Sequence, residues 1–382
     1  MKKLVCLWFI ALSAAAVFAQ ELKFSGYVNS GMGLVITGKE NSDPAVMTYG
    51  VDSERNIGRF RLNGTYTNAG GTGGADFRLQ VQGRGVSSLP ENIPSLAFAY
   101  GWFKPAKFLT IKAGLVDDSA FTTGDVILND DQGEGAGLLV KLSPLRGLDL
   151  GAGAYAASYQ GGGSNNLFDG QLPQELRWDR IKYTFGLAYT LEDAFRVTLS
   201  GRTWNKAGSN ETSARAIGEF RLLAVKNLTA VVAVEGNNLY EDHKDFRDHG
   251  LITFYETLGY QWGDWGFGLN AAQYKSNETG REDLALLVNP WVSRALAGGT
   301  IVPRLEAVYF LGGNQDGANY HRRAYKANYH KDAYVITGRP SVKISLDPRV
   351  SLEIGDAVYY QRPVQGDGAL TNVFYADLVV KF

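Results

Sequence analysis

Arginine and lysine recur at alternate positions in several short stretches of this 382-residue chain, and a cluster of acids lies apart from them. Arg59 and Arg61 flank Phe60, Arg78 separates Phe77 from Leu79, and Arg180 and Lys182 flank Ile181. Arg196 and Arg202 bracket one such run, and Arg84, Lys112, Arg215, Arg221, Arg304, Arg339 and Lys343 extend the series. The acids Asp117, Asp118, Asp125, Asp130, Asp131 and Glu134 fall within one polar stretch. Cations on one wall and carboxylates opposite them set up a field across an aqueous space. Such a field sorts ions and orients dipolar solutes; it makes and breaks no bonds.

Groupings that do make bonds are scarce. His243 and His249 lie beside Asp242, Asp245 and Asp248, while His321 and His330 lie in a second polar stretch. Imidazoles and carboxylates are calcium and zinc donors, but aspartates of an exposed loop are ordinarily just solvated, so no metal is expected. Gly133, Gly135 and Gly137 follow the acidic stretch and open a strand-like run, whereas a phosphate-cradling loop opens a helix. The nucleophile pattern G-x-S-x-G and the zinc pattern H-E-x-x-H are both absent from the sequence. Neither a catalytic residue nor a cofactor is expected.

The elements that carry the cations are strands. In Phe77-Arg78-Leu79-Gln80-Val81-Gln82 and in Phe195-Arg196-Val197-Thr198-Leu199-Ser200, every second side chain is apolar. Period two places one set on each face of a strand. Short turns such as Ser143-Pro144-Leu145-Arg146-Gly147, Glu192-Asp193-Ala194 and Trp262-Gly263-Asp264 alternate with long polar connections at 38–54, 117–134, 158–178, 240–248 and 312–329. That asymmetry belongs to transmembrane barrels, with tight periplasmic turns and longer extracellular loops. The pattern predicts an all-β, antiparallel up-and-down transmembrane barrel of about 16–18 strands. Pro290, which cannot donate to a ladder, marks the strand that fits least well.

Composition supports the same class. Glycine contributes 46 residues, above the usual ~7%, and 12% of the chain is aromatic, as many short strands with tight turns require. Thirty-eight basic residues against thirty-nine acidic ones give no argument for nucleic acid as a partner. Lys2 and Lys3, an apolar stretch through Phe18, and Ala19 before Gln20 read as a signal peptide cut after residue 19. Residues 20–382 then form one barrel domain without cysteine, because the single Cys6 lies in the leader.

The last strand carries the most specific local pattern. Phe374, Ala376, Leu378, Val380 and Phe382 share one face and end the chain on an aromatic. An outward apolar set with a terminal aromatic resembles the assembly signal of bacterial outer-membrane porins, here Phe374, Leu378, Val380 and Phe382. The resemblance implies export to the outer membrane of a diderm bacterium and recognition by the barrel-assembly machinery. It implies outer-membrane lipid and small hydrophilic solutes as further partners, and it allows a homotrimer. In such a barrel the apolar set must face lipid, because charge in hydrocarbon is costly. The fourteen cations above then line the pore and favour anions mildly, and the 117–134 loop folds inward as an acidic constriction. Trp102, Phe108, Tyr189, Phe195, Trp262, Trp265 and Phe382 become interfacial girdle residues. Tyr155, Tyr159, Trp178, Trp204 and Tyr274, if they face the lumen, suit stacking on sugars. A passive pore is the first expectation; a plugged barrel serving as an adhesin or structural protein is the second, and a barrel enzyme the third.

Overall fold

Where apolar and polar residues alternate, the backbone is extended and paired. The computed structural model describes residues 21–37, 44–49, 58–83, 95–116, 135–156, 181–205, 212–237, 251–276, 284–315, 325–327, 330 and 332–382. The leader therefore lies outside the described residues. The first strands are β1 (Glu21–Thr37), β2 (Ala45–Tyr49), β3 (Gly58–Thr67), β4 (Gly73–Gly83), β5 (Ser95–Ala106), β6 (Leu109–Val116) and β7 (Gly135–Leu145). They are followed by β8 (Leu148–Ala156), β9 (Ile181–Leu191), β10 (Phe195–Asn205), β11 (Thr212–Leu222), β12 (Leu228–Asn237), β13 (Leu251–Trp262) and β14 (Trp265–Ser276). The remainder are β15 (Leu284–Arg294), β16 (Ile301–Leu311), β17 (Gly313–Gln315), β18 (Tyr325–Ala327), β19 (Tyr334–Asp347), β20 (Val350–Arg362) and β21 (Ala369–Lys381).

All pairings are antiparallel, and β21 returns to β1 from Tyr27↔Lys381 to Thr37↔Thr371, which closes the sheet. β2 and β3 share one position: β2 pairs with the second half of β1 (Gly31↔Tyr49) and β3 with the first (Asn29↔Arg59). β17 and β18 form a ribbon of their own. The architecture is a closed barrel of eighteen strands, within the range the alternation predicts. Closure pairs the edge strands that an open sheet would leave free.

Short turns and both ends of the barrel chain gather at one rim; the longer connections gather at the other. Turn chemistry explains the tight end. Asp193 (φ 55°) and Asn227 (φ 65°) take the left-handed conformation that these residue types tolerate. The Asn68 side-chain oxygen accepts from the backbone N–H groups of Thr72 (2.9 Å) and Gly73 (3.3 Å). Gly147 sits at φ 81°, and a Cβ there would lie 2.2 Å from the Thr190 carbonyl oxygen. Gly147→Val combines a forbidden backbone region with a backbone clash. A loss of about 3 kcal/mol is expected, checked by the urea midpoint of the refolded barrel in lipid vesicles.

Pro290 is accommodated inside β15. The β15–β16 ladder lapses between Val288↔Tyr309 and Trp291↔Glu306, and the Asn289 amide donates to the Ala307 carbonyl oxygen across the gap (2.8 Å). The terminal strand closes the barrel in a specific way. Phe382 donates its N–H to Gly26 O (3.0 Å) and accepts from Gly26 N (2.9 Å), and its ring stacks on Phe60 at 6.1 Å. Phe374, Leu378 and Phe382 are exposed on the outer wall, with Val380 at the same face.

The outer wall is apolar and exposed: Phe185, Leu199, Val232, Leu305 and Ile336 all stand out from it. Near the short-turn rim, Phe108, Tyr189, Trp262, Trp265 and Phe382 are exposed aromatics. A band of this extent is a surface for hydrocarbon rather than water. Among the described residues, no helix is long and apolar enough to cross a membrane; any crossing is made by strands.

Candidate functional site

The inner wall is the surface with chemical content. Arg61, Arg78, Lys112, Arg196, Arg221, Arg304, Arg339 and Lys343 lie on its side of their strands, as the register with buried Gln80, Thr198, Glu219, Glu306 and Thr337 shows. Arg59, Lys182, Arg202 and Arg215 occupy inward positions of the backbone register. Arg84, Arg180 and the whole acidic stretch (Asp117, Asp118, Asp125, Asp130, Asp131 and Glu134) lie outside the described residues, as do His243, His249 and His321. His330 lies in a turn, 3.8 Å from the Asp332 carboxylate. Among the described residues no group of three or more His, Cys, Asp or Glu could hold a metal ion.

The inner wall divides into two arcs. On β3 to β10, cations meet neutral and aromatic groups. Arg61 Nε donates to Gln80 Oε1, and its guanidinium lies 5.5 Å from the Tyr27 ring. Arg78 Nε donates to Asn63 Oδ1 (2.8 Å) and its guanidinium covers Phe98 at 4.6 Å. Lys112 Nζ stands 4.7 Å over the Tyr100 ring and 3.4 Å from its hydroxyl. Only Asp76 and Asp149 bring acid to the described inner face of this arc, against Arg61, Arg78, Lys112, Lys141 and Arg196.

On β11 to β21 the cations Arg221, Arg304, Arg339 and Lys343 each face an acid. Arg221 bonds Glu219 (3.2 Å), and Arg304 and Arg339 grip opposite oxygens of Glu306 (3.1 and 3.4 Å). Glu306 is only 4% exposed, so its charge is held by this fork and not by water. Arg304 also covers Trp291 at 4.3 Å. Lys343 stands opposite Glu353, which accepts from the Tyr375 hydroxyl at 3.3 Å. Buried Glu235 accepts from Tyr255 (3.2 Å), and buried Asp377 adds a further acid. The described acids are thus concentrated on one arc, while cations outnumber acids on the other.

Toward the long-loop rim the inner wall turns apolar. Val35, Leu287, Phe310, Val335 and Val373 are buried there, and Tyr274 packs between Tyr255 (6.2 Å) and Phe310 (5.7 Å). The β17–β18 ribbon lies against this wall: Gly313 sits so close to Phe310 that a Cβ would meet its ring at 2.5 Å, and β17 touches β19 and β20. Across the barrel, Tyr155 is buried with Val116 and Leu139, so its ring is covered. Tyr159 and Trp178 lie outside the described residues.

One expected girdle residue stands on the inner wall. Trp102 is expected in the girdle, yet it opposes Lys112 and covers Gly74 on the inner wall, while Phe103 is exposed outside. The cause is a bulge: β4–β5 pairing slips between Arg78↔Phe98 and Leu79↔Leu96. One extra residue exchanges the faces of the strand. Phe98, Tyr100 and Trp102 become an inward aromatic stripe under Arg78, Lys112 and Lys104.

No protein-family model and no curated protein sequence matches the chain. Solved structures do. Acinetobacter baumannii OccAB4 is similar over 95% of this chain and 99% of its own, with a TM-score of 0.59 at 10% identity. Pseudomonas aeruginosa OprD matches over 96% of both chains (TM-score 0.56, 13% identity). Pseudomonas aeruginosa OccK1 (OpdK) matches over 96% of this chain and 100% of its own (TM-score 0.60, 12% identity). At these identities the likeness is one of fold, and that fold is the eighteen-strand closed barrel of the OccK and OprD outer-membrane porins.

Proposed function

We propose that the protein is an outer-membrane channel through which small hydrophilic solutes diffuse passively, with a mild preference for anions. The observation that carries this reading is the pairing of an exposed apolar outer wall with an inner wall of arginine, lysine, glutamate and carboxamide side chains. A barrel of this strand number is wide enough for an aqueous channel. The cation-rich β3–β10 arc faces the acid-bearing β11–β21 arc, and the field between them is the proposed selectivity device. The fold likeness to outer-membrane porins supports the location, and export by the predicted leader agrees with it.

Replacing Arg61, Arg78 and Lys112 together by glutamine should move the reversal potential in a tenfold salt gradient away from the anion side. An unchanged reversal potential in the triple variant would remove the proposed role of this arc. The buried apolar zone near the long-loop rim and the inward β17–β18 ribbon favour a second reading, a barrel plugged at that end. Liposome swelling separates the two: a channel admits a pentose at a rate that rises with protein, and a plugged barrel does not.

A further inference from the structure

Strand β5 places its aromatics where they bury least. Leu96 stands beside outward Leu79, and without the extra residue at Ala97 the next side chains to follow it outward would be Phe98, Tyr100 and Trp102. The bulge turns all three into the lumen and leaves Ala99 and Gly101 on the lipid side. Rings withdrawn from hydrocarbon into a polar lumen give up hydrophobic stabilisation. Packing alone therefore does not account for the arrangement.

Each of the three rings carries a cation. The Arg78 guanidinium lies 4.6 Å from the centre of Phe98, Lys112 Nζ 4.7 Å from that of Tyr100 and Lys104 Nζ 5.1 Å from that of Trp102. All three fall within the ~6 Å over which a ring face attracts a cation. Across the barrel the same layering recurs, with Arg304 over Trp291 at 4.3 Å. Both tryptophans oppose a glycine on the neighbouring strand. A Cβ at Gly74 would meet Trp102 at 2.6 Å, and one at Gly268 would meet Trp291 at 2.3 Å. With no side chain beneath it, each indole lies flush with the wall and its cation is layered on top.

We infer that Phe98, Tyr100, Trp102 and Trp291 are positioning residues for the cations of the pore, holding the charged heads along the wall so that the bore stays clear. Arginine and lysine are long and rich in rotamers, and a head stretched toward the centre would narrow the passage it lines. A carboxylate partner would hold the head but cancel its charge. A ring face holds it and leaves the charge to act across the lumen. Inward positions on one strand are about 6.6 Å apart at ~3.3 Å per residue, so β5 fixes its three cations at three levels. The inference rests on the channel reading above, and the test separates the two.

The test combines Phe98→Leu, Tyr100→Leu and Trp102→Leu in the full-length chain, which keeps apolar side chains and removes the ring faces. Neutral solutes read clearance apart from charge. In liposome swelling, the rate for a neutral hexose relative to a pentose is expected to fall about threefold in the heat-modifiable variant, and open-channel current noise to rise several-fold. Adding Arg78→Gln, Lys112→Gln and Lys104→Gln to the same variant removes the released arms and should return both readouts toward the parent. Rings that only support the wall would leave the defect in place after the cations are gone, and that result would overturn the proposal. So would a triple leucine variant with the hexose rate and noise of the parent. A folded parent that admits no pentose would remove the channel reading and this one with it; a conducting parent with an unresponsive variant removes this one alone. Should the triple variant not fold, Phe98→Leu compared with Phe98→Leu plus Arg78→Gln makes the same comparison at one level.

Discussion

Replacing Gly26 by valine is expected to abolish the closed, heat-modifiable barrel. Gly26 is where the chain joins its own end: its N–H and carbonyl oxygen both bond Phe382 (2.9 and 3.0 Å). A Cβ at Gly26 would stand 2.2 Å from the Arg61 carbonyl oxygen and 2.6 Å from the Phe382 ring. The ring can swing away, but the β3 backbone cannot move without breaking its ladder to β1. Overpacking against backbone costs about 3 kcal/mol or more, and losing the two terminal bonds adds about 1 kcal/mol each. The measurement is the fraction of refolded protein that migrates as the compact species on gels without boiling. Gly26→Val should leave little of it, and deletion of Phe382 should reduce it less, because the ring is about half exposed (46%) and the clash is absent.

The second large effect is expected inside. Glu306→Ala removes the acid that Arg304 and Arg339 share, leaving two guanidiniums close together with no carboxylate between them. Breaking a buried ion pair by deleting one partner costs about 3 kcal/mol, mostly from the charges left behind. Glu306→Gln keeps acceptor geometry on one side and should cost less. Urea titration of the barrel in vesicles reads both. If Glu306→Ala matched the parent protein, Glu306 would not be holding the fork. The same variant should also push selectivity toward anions, since the β11–β21 arc loses an acid.

Much of the fold was legible because period-two alternation is an immediate consequence of a wall with oil on one side and charge on the other. Phe60, Leu62, Leu79 and Leu199 face outward for that reason, and Arg61, Arg78 and Arg196 face inward. Asp193, Asn227 and Gly147 marked tight turns by residue type alone. Four features were less legible. The bulge in β5 inserts one residue with no sequence cue, so Trp102 changed sides. The inner wall near the long-loop rim is built of Ala272, Ala285, Leu287 and Val335, which alternation alone would assign to the outside or pass over. Glu256 and Asp356 violate the polarity of their own face, and a pattern reading that averages over a strand does not register a single exception. The acid partners of the inner cations, Glu219 and Glu306, were visible as residues, but their grip on Arg221, Arg304 and Arg339 depends on cross-strand register and side-chain placement, which one sequence does not supply.

Conductance of the refolded, heat-modifiable protein in a planar lipid bilayer tests most directly whether the proposed charge-lined passage is open. An open channel gives stable unitary steps on the order of a nanosiemens in molar salt, with a reversal potential on the anion side in a salt gradient. A correctly folded barrel that inserts and passes no current would contradict it and leave the plugged barrel in its place.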